Sequence, residues 1–126
     1  MRILVFGTFD LLHPGHRYLL DEASKRGELF VVIARDANVE KIKGSRPQQS
    51  ESERQAAIAA AYPQATVVLG DEHDFLVPVR TINPDLILLG YDQKLAPGIT
   101  EKDLPCVTER LPAFHPEKYK SSLLRK

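Results

Sequence analysis

The fold is decided by residues 3–34, where Ile3-Leu-Val-Phe6 and Glu28-Leu-Phe-Val-Val-Ile-Ala34 flank a helix-like segment from Gly15 to Arg26. In that segment Tyr18, Leu19, Leu20 and Ala23 fall mainly on one helical face, and Gly27 is placed to cap the end. Both apolar runs are continuous rather than alternating, as expected of strands covered on both faces. Further along, Arg35 to Gln49 is polar, broken by Gly44 and Pro47, and reads as a loop with one helical turn. Ser50-Glu-Ser-Glu53 forms a capping box ahead of a helix from Arg54 to Tyr62, stopped by Pro63. Thr66-Val-Val-Leu69, closed by Gly70, is a third strand; Asp74 to Ile82 is a helix that tolerates Pro78 only near its first turn. Asp85-Leu-Ile-Leu-Leu-Gly90 is a fourth strand, Cys106-Val-Thr108 a short fifth, and Ser121 to Lys126 begins a last helical turn. Strands separated by helices imply right-handed crossovers. The expected fold is α/β: one doubly wound, Rossmann-like domain over residues 1–126 with a five-stranded parallel sheet.

Composition narrows the function classes. The 126 residues carry 17 basic and 17 acidic side chains, and a formal net charge of zero argues against a protein that coats nucleic acid. At 43% hydrophobic and 27% charged, the chain is too apolar to be disordered. The single Cys106 cannot form an internal disulfide and reads as a small buried hydrophobe. No run approaches the roughly 18 apolar residues that span a bilayer. Met1-Arg-Ile-Leu-Val-Phe-Gly7 is too short for a signal peptide, so the expectation is a soluble, cytoplasmic protein without a membrane or nucleic-acid partner. The zero total hides a segregated distribution, because Arg110, Lys118, Lys120, Arg125 and Lys126 face only Glu117 in the last segment.

In a doubly wound sheet the ligand lies beyond the carboxyl ends of the strands, where the strand order reverses. The first strand delivers Gly7-Thr-Phe-Asp10 and then His13-Pro-Gly-His16 to that place. Gly15 lets backbone approach a ligand, the helix N-terminus offers unpaired N–H groups, and imidazoles there can donate to a phosphoryl group in transfer. His-x-x-His spacing also suits half of a zinc site, but no other cluster supplies convincing further ligands. His73, in Asp71-Glu-His-Asp74, reads as part of a solvated turn, and His115 as a surface residue.

Gly7-Thr-Phe-Asp-Leu-Leu-His-Pro-Gly-His16 resembles the signature of the nucleotidylyltransferase superfamily with the His-x-Gly-His motif, in its small cytidylyltransferase-like group. The likeness continues through Ala34-Arg-Asp-Ala-Asn-Val-Glu-Lys-Ile-Lys-Gly44, Glu53-Arg54 and Leu89-Gly-Tyr-Asp-Gln93. The second and fourth of these stretches look closest to the archaeal-type FAD synthases, which are FMN adenylyltransferases. The glycerol-3-phosphate cytidylyltransferases are similar but less close.

The resemblance implies transfer of a nucleoside monophosphate from an NTP to a phosphate-bearing acceptor, with release of pyrophosphate and with Mg²⁺ or another divalent cation. It implies a phosphate-binding, transition-state-stabilising role for His13 and His16, and a nucleotide-facing backbone at Gly7, Thr8 and Phe9. Asp10 would orient a histidine or meet the metal. Lys43 would reach the triphosphate or acceptor phosphate, and Asp36, Lys41 and Arg54 the acceptor, with a surface ion pair the competing role for Arg54. Gly90, Asp92 and Gln93 would meet base or ribose, and Gln93 suits adenine or cytosine equally. Ser121 and Ser122 stand where family serines and threonines bind phosphate, but between Leu111 and Ser122 the family's motif arginine has no match. Lys118 or Lys120 would supply that charge. Small members of the group are expected to be homodimers. A nucleotide-binding protein without turnover is the reading from another class.

Overall fold

The computed structural model describes residues 1–91 and 93–112. Five parallel strands, β1 (Arg2–Gly7), β2 (Glu28–Ile33), β3 (Thr66–Leu69), β4 (Leu86–Leu89) and β5 (Val107–Arg110), stand in the order β3-β2-β1-β4-β5. The helices are α1 (Pro14–Arg26), α2 (Asp36–Lys43), α3 (Glu51–Ala61) and α4 (Leu76–Ile82), with a 3-10 turn at Glu101–Asp103. The chain winds one way from β1 to β3 and then crosses to β4, so the order reverses between β1 and β4.

The continuous apolar runs are explained by two cores. Alternate residues of each central strand point to opposite faces. Ile3 and Val5 join Val31, Ile33 and Leu88 under Leu19, Leu20, Ala23 and Ile58 of α1 and α3. Leu4 and Phe6 join Val32, Ile87 and Leu89 under Val79 and Ile82 of α4 and Leu104 of the segment before β5. Each fully buried Leu or Ile contributes about 1.5–3 kcal/mol.

Four local expectations change. Asp36–Lys43 is a helix rather than a loop with a single turn. Asp36 lies in its first turn, Lys41 and Lys43 in its last, both favourable to the helix dipole. Gly44 closes it in the left-handed region at φ 86°, donating its N–H to Glu40 O at 2.8 Å. Val39 is its one buried residue and Ile42 is 58% exposed, so the apolar period that marks a surface helix is missing from the sequence. The fifth strand starts at Val107 and runs to Arg110, and the fourth helix starts at Leu76, leaving Pro78 in its first turn. Gly27 does follow α1, but in extended backbone with φ 164°, so it is not a left-handed cap. Its missing side chain matters because a Cβ there would collide with the Met1 carbonyl, where Glu28 N donates to Met1 O at 2.9 Å to start β2 beside β1.

Gly27→Ala is accordingly expected to lower stability by about 1–3 kcal/mol, the range for overpacking against backbone. The midpoint of denaturant unfolding reads this out; an unchanged midpoint would show that the contact relaxes freely.

Candidate active site

Thr8, Asp10, His13, His16, Val39, Lys43, Ser45, Arg46 and Pro47 line a cavity of about 270 Å³ at the carboxyl ends of β1 and β2. Of the residues singled out by sequence, the fold brings His13, His16, Lys43, Thr8 and Asp10 together. Lys41 is exposed and lies outside the lining. Two residues apart on a helix are about 200° apart around its axis, so α2 cannot turn both lysines to one cavity. Ser45, Val39 and Pro47 were not singled out by sequence, since none carries a distinctive spacing.

The histidine pair is a capping box built from imidazoles. His13 is the N-cap of α1, and its Nδ1 accepts from Gly15 N at 3.1 Å and His16 N at 3.4 Å. His16 Nδ1 in turn accepts from His13 N at 3.4 Å. Arg17 N donates to His13 O, and Pro14 has no N–H, so the helix end does not present the unpaired amides expected from sequence. A neutral ring that accepts at Nδ1 carries its proton on Nε2. Each imidazole therefore takes hydrogen bonds from backbone at one nitrogen and offers an N–H at the other. For His13 this passes the positive end of the α1 dipole through the ring to Nε2.

The rings stack with centroids 3.6 Å apart and planes at 20°, and Phe9 meets His16 edge-on at 5.3 Å. Phe9 is 3% exposed and holds φ 53°. Leu11 also holds φ 53°, which places bulky residues in the left-handed region on both sides of Asp10. Such strain persists where surrounding structure over-determines the loop. The Phe9 ring also fills the space beside Gly7, where a Cβ would lie 3.1 Å from it. Burial lowers the His16 pKa from 6.5 to about 4, helped by the neighbouring His13 ring and partly opposed by Asp10, so His16 is neutral at pH 7.

Arg54 is neither a surface ion pair nor an exposed acceptor contact. It is 0% exposed, and each guanidinium nitrogen donates to a different segment of the site. Nη1 reaches Thr8 O at 2.8 Å, Nε reaches Gln49 O at 3.2 Å, and Nη2 reaches Asp36 Oδ1 at 2.6 Å. Burial alone would raise the Asp36 pKa; the Arg54 hydrogen bond, with the Glu51 amide and nearby arginine charge, outweighs it and holds the carboxyl below its usual range. Asp36 N donates to Glu51 Oε1 at 2.8 Å and Glu51 N to Asp36 Oδ2 at 3.2 Å, so the first turns of α2 and α3 lock together. Asp36 is thereby turned toward protein.

Asp10 likewise anchors backbone. Its oxygens accept from Gln48 N at 2.8 Å and Gln49 N at 2.9 Å. Burial works to raise its pKa, but those two amides, with Arg54 and Lys43, keep it low and charged. No group of three His, Cys, Asp or Glu side chains among the described residues could hold a metal ion. Arg46 pairs with Glu40 at 3.1 Å and Asp36 at 3.9 Å at the cavity rim.

On the far side of β1, Gly90 and Gln93 follow β4. Arg110, at the end of β5, reaches across with Nη1 donating to the carbonyls of Gly90, Tyr91 and Gln93 at 2.8, 3.2 and 2.7 Å. Sequence marks Arg110 only as one cation of the last segment, since no motif spacing gives it a role. Asp92, Ser121 and Ser122 lie outside the described residues. So do Lys118, Lys120 and His115.

An all-parallel sheet with a histidine-capped helix and a cationic loop over its strand ends defines a Rossmann-like anion-binding protein. A profile of the cytidylyltransferase-like family matches residues 4–126. The FAD synthase of Methanosarcina mazei is 46% identical over 104 residues, which cover 82% of this chain and 68% of the relative. That of Natronomonas pharaonis is 42% identical over 118 residues, covering 89% and 83%. For that of Methanospirillum hungatei the figures are 44% over 105 residues, 82% and 66%, so the chain spans about two thirds of that relative's length. The solved lipopolysaccharide core biosynthesis protein of Thermoplasma volcanium superposes with a TM-score of 0.78 at 34% identity, over 91% of this chain and 98% of that one. The chain belongs to the cytidylyltransferase-like family of nucleotidyltransferases.

Two outcomes follow from this geometry. Arg54→Met, which leaves the Thr8 and Gln49 carbonyls and one oxygen of the partly exposed Asp36 carboxylate without the buried guanidinium, is expected to lose about 1–3 kcal/mol of stability in denaturant unfolding; a loss within 0.5 kcal/mol, roughly that of an ordinary surface change, would contradict the clamp. The folded His16 has a depressed pKa, so its contribution to stability is complete above pH 6.5 and is lost as pH falls toward about 4. Unfolding free energy measured across that window should fall less steeply in His16→Gln than in the unmodified protein, and equal slopes would overturn the assignment.

Proposed function

We propose that this chain is an FMN adenylyltransferase, an FAD synthase, that joins AMP from ATP to the phosphate of FMN and releases pyrophosphate. The observation that carries this reading is the 40–46% identity to proteins named FAD synthase across most of the chain. The acceptor phosphate is an anionic nucleophile at neutral pH, so the protein has to align two anions and offset their repulsion. One acceptor phosphate oxygen forms a bond to the α-phosphorus as the bond from that phosphorus to the bridging oxygen breaks, and the electron pair leaves with pyrophosphate. No proton moves in that exchange, which suits histidines that stay neutral and donate from Nε2 to the phosphoryl oxygens as charge shifts.

Lys43 adds positive charge to the cavity lining, beside Arg46, whose charge is shared with Glu40 and Asp36. Arg54 keeps Thr8, Gln49 and Asp36 in register and so acts by position. A divalent cation, Mg²⁺ in the first instance, would arrive with the triphosphate and be held chiefly by its oxygens and by water, with Asp10 the carboxylate in the lining; a single-carboxylate site of that kind suits Mg²⁺. This chemistry occupies residues 1–126 as one nucleotidyltransferase domain. A cytoplasmic location and a homodimer belong to the same reading, the dimer being tested by light scattering. Among the described residues no helix is long and apolar enough to cross a membrane.

Incubation with ATP, FMN and Mg²⁺ should yield FAD and pyrophosphate in equal amounts by chromatography. Turnover of CTP with glycerol 3-phosphate and none of FMN would establish the cytidylyltransferase alternative suggested by the family description. Pyrophosphate release in neither mixture would leave a binding protein. In the active enzyme His16→Ala is expected to reduce kcat by about 10²–10³, the range for one preorganised donor; a reduction below tenfold in a folded variant would remove His16 from the mechanism.

A further inference from the structure

Helix α2 is oriented by polar contacts gathered at one end. Val39 is its one buried residue and Ile42 is exposed, so apolar packing does little to fix its direction. Its first turn is held at several points. Arg35, the residue before it, donates from Nε to Gly70 O at 2.7 Å, and Asn38 donates from Nδ2 to Asp71 O at 3.1 Å. The remaining ties come from α3. Glu51 spreads its carboxylate over two neighbours, Oε1 accepting from Asp36 N at 2.8 Å and Oε2 from Arg35 Nη1 at 3.1 Å. Glu51 N returns a bond to Asp36 Oδ2, and Arg54 takes the other Asp36 oxygen. The contacts of Arg46 to Glu40 and Asp36 end on α2 itself and give no outside support. The next tie to another segment comes beyond Gly44, at Gln48, whose amide donates to Asp10. Lys43, at the far end of the helix, lines the cavity with His13 and His16.

We propose that Glu51, which does not line the cavity, is a positioning residue for Lys43, setting through α2 where the ammonium group stands. At roughly 1.5 Å per residue Lys43 lies about 10 Å along the helix from Asp36, so a tilt of about 6° at the first turn moves it by about 1 Å. A displacement of that size removes much of the effect of a group that must meet a reacting ligand. Glu51 sets the tilt because its Oε1 caps the first amide of α2, where the helix dipole favours a carboxylate. Its pair with Arg35 is partly exposed on both sides, and pairs of that kind contribute little to stability. What the contact fixes is the direction of α2.

This inference rests on the nucleotidyltransferase reading for the use of Lys43 but on no particular acceptor. The test compares Glu51→Ala and Glu51→Gln, each alone and combined with Lys43→Met, in the full chain. Circular dichroism checks that each variant folds. By calorimetry Glu51→Ala is expected to weaken ATP binding about tenfold, and to cost less than about twofold once Lys43→Met is present. Glu51→Gln keeps the oxygen that accepts from Asp36 N and should stay within about threefold of the unmodified protein. A second readout needs no nucleotide. The His16 pKa is lowered first by burial and then by the His13 ring, against Asp10, and the Lys43 charge lowers it further. Lys43→Met should therefore raise the pH at which His16 titrates by NMR. Glu51→Ala should raise it too, and the double variant no further than Lys43→Met alone. The proposal is overturned if Glu51→Ala weakens ATP binding by the same factor with and without Lys43→Met, or if it leaves the His16 titration unmoved. Coupled His16 shifts in a chain that binds no ATP would remove the nucleotidyltransferase reading and leave the positioning intact; ATP turnover with independent losses would do the reverse.

Discussion

The candidate site depends on one buried cation. Arg54 projects from the first turns of α3 into a space that excludes solvent, and its three hydrogen bonds end on three separate segments: Thr8 after β1, Gln49 before α3, and Asp36 at the start of α2. A buried charge of this kind is costly unless it is paired and its donors are used. Here each guanidinium nitrogen has an acceptor and one of those acceptors is a carboxylate. The consequence is geometric. The helix that carries Lys43, the loop that carries Arg46 and the strand end that leads to the histidines cannot move independently.

The histidine pair adds the second constraint. Because His13 takes the α1 amides at Nδ1, the helix end presents an imidazole rather than bare backbone. The ring extends the reach of the helix dipole and fixes which nitrogen faces the cavity. Asp10 and the strained residues on either side of it hold the same loop from the opposite direction, through Gln48 and Gln49. One side of β1 thus gathers the histidine pair with Lys43 and Arg46. On the other side β4 parts from it beyond Leu4, and the Gln93 amide bridges Phe6 O and Gly90 N.

Much of this was legible in the sequence, for physical reasons that differ between elements. The apolar runs gave the central strands because both faces of the sheet are covered, and Ser50 with Glu53 marked the start of α3 because a capping box satisfies specific amides. Helix α2 was not legible, since only Val39 is buried and no apolar stripe exists to detect. His13 and His16 stood out by spacing, but their mutual capping depends on ring orientation. Arg54 was singled out for the wrong environment, because an arginine in a Glu-Arg pair looks the same whether it faces solvent or core. Gln93 was assigned to a base edge, and its contacts to Phe6 and Gly90 depend on how far β4 diverges from β1, a property of the packed sheet that no local pattern encodes.

The cavity presents two imidazoles that accept backbone N–H groups at Nδ1 and are left to donate from Nε2. Nitrogen-15 NMR of histidine-labelled protein at pH 7 reads this directly. His13 and His16 should both show an unprotonated Nδ1 and a protonated Nε2, with the Nε2 resonances shifting when ATP is added. A ring protonated on Nδ1, or an imidazolium at His16 in the free protein, would contradict the mutual capping of the two rings.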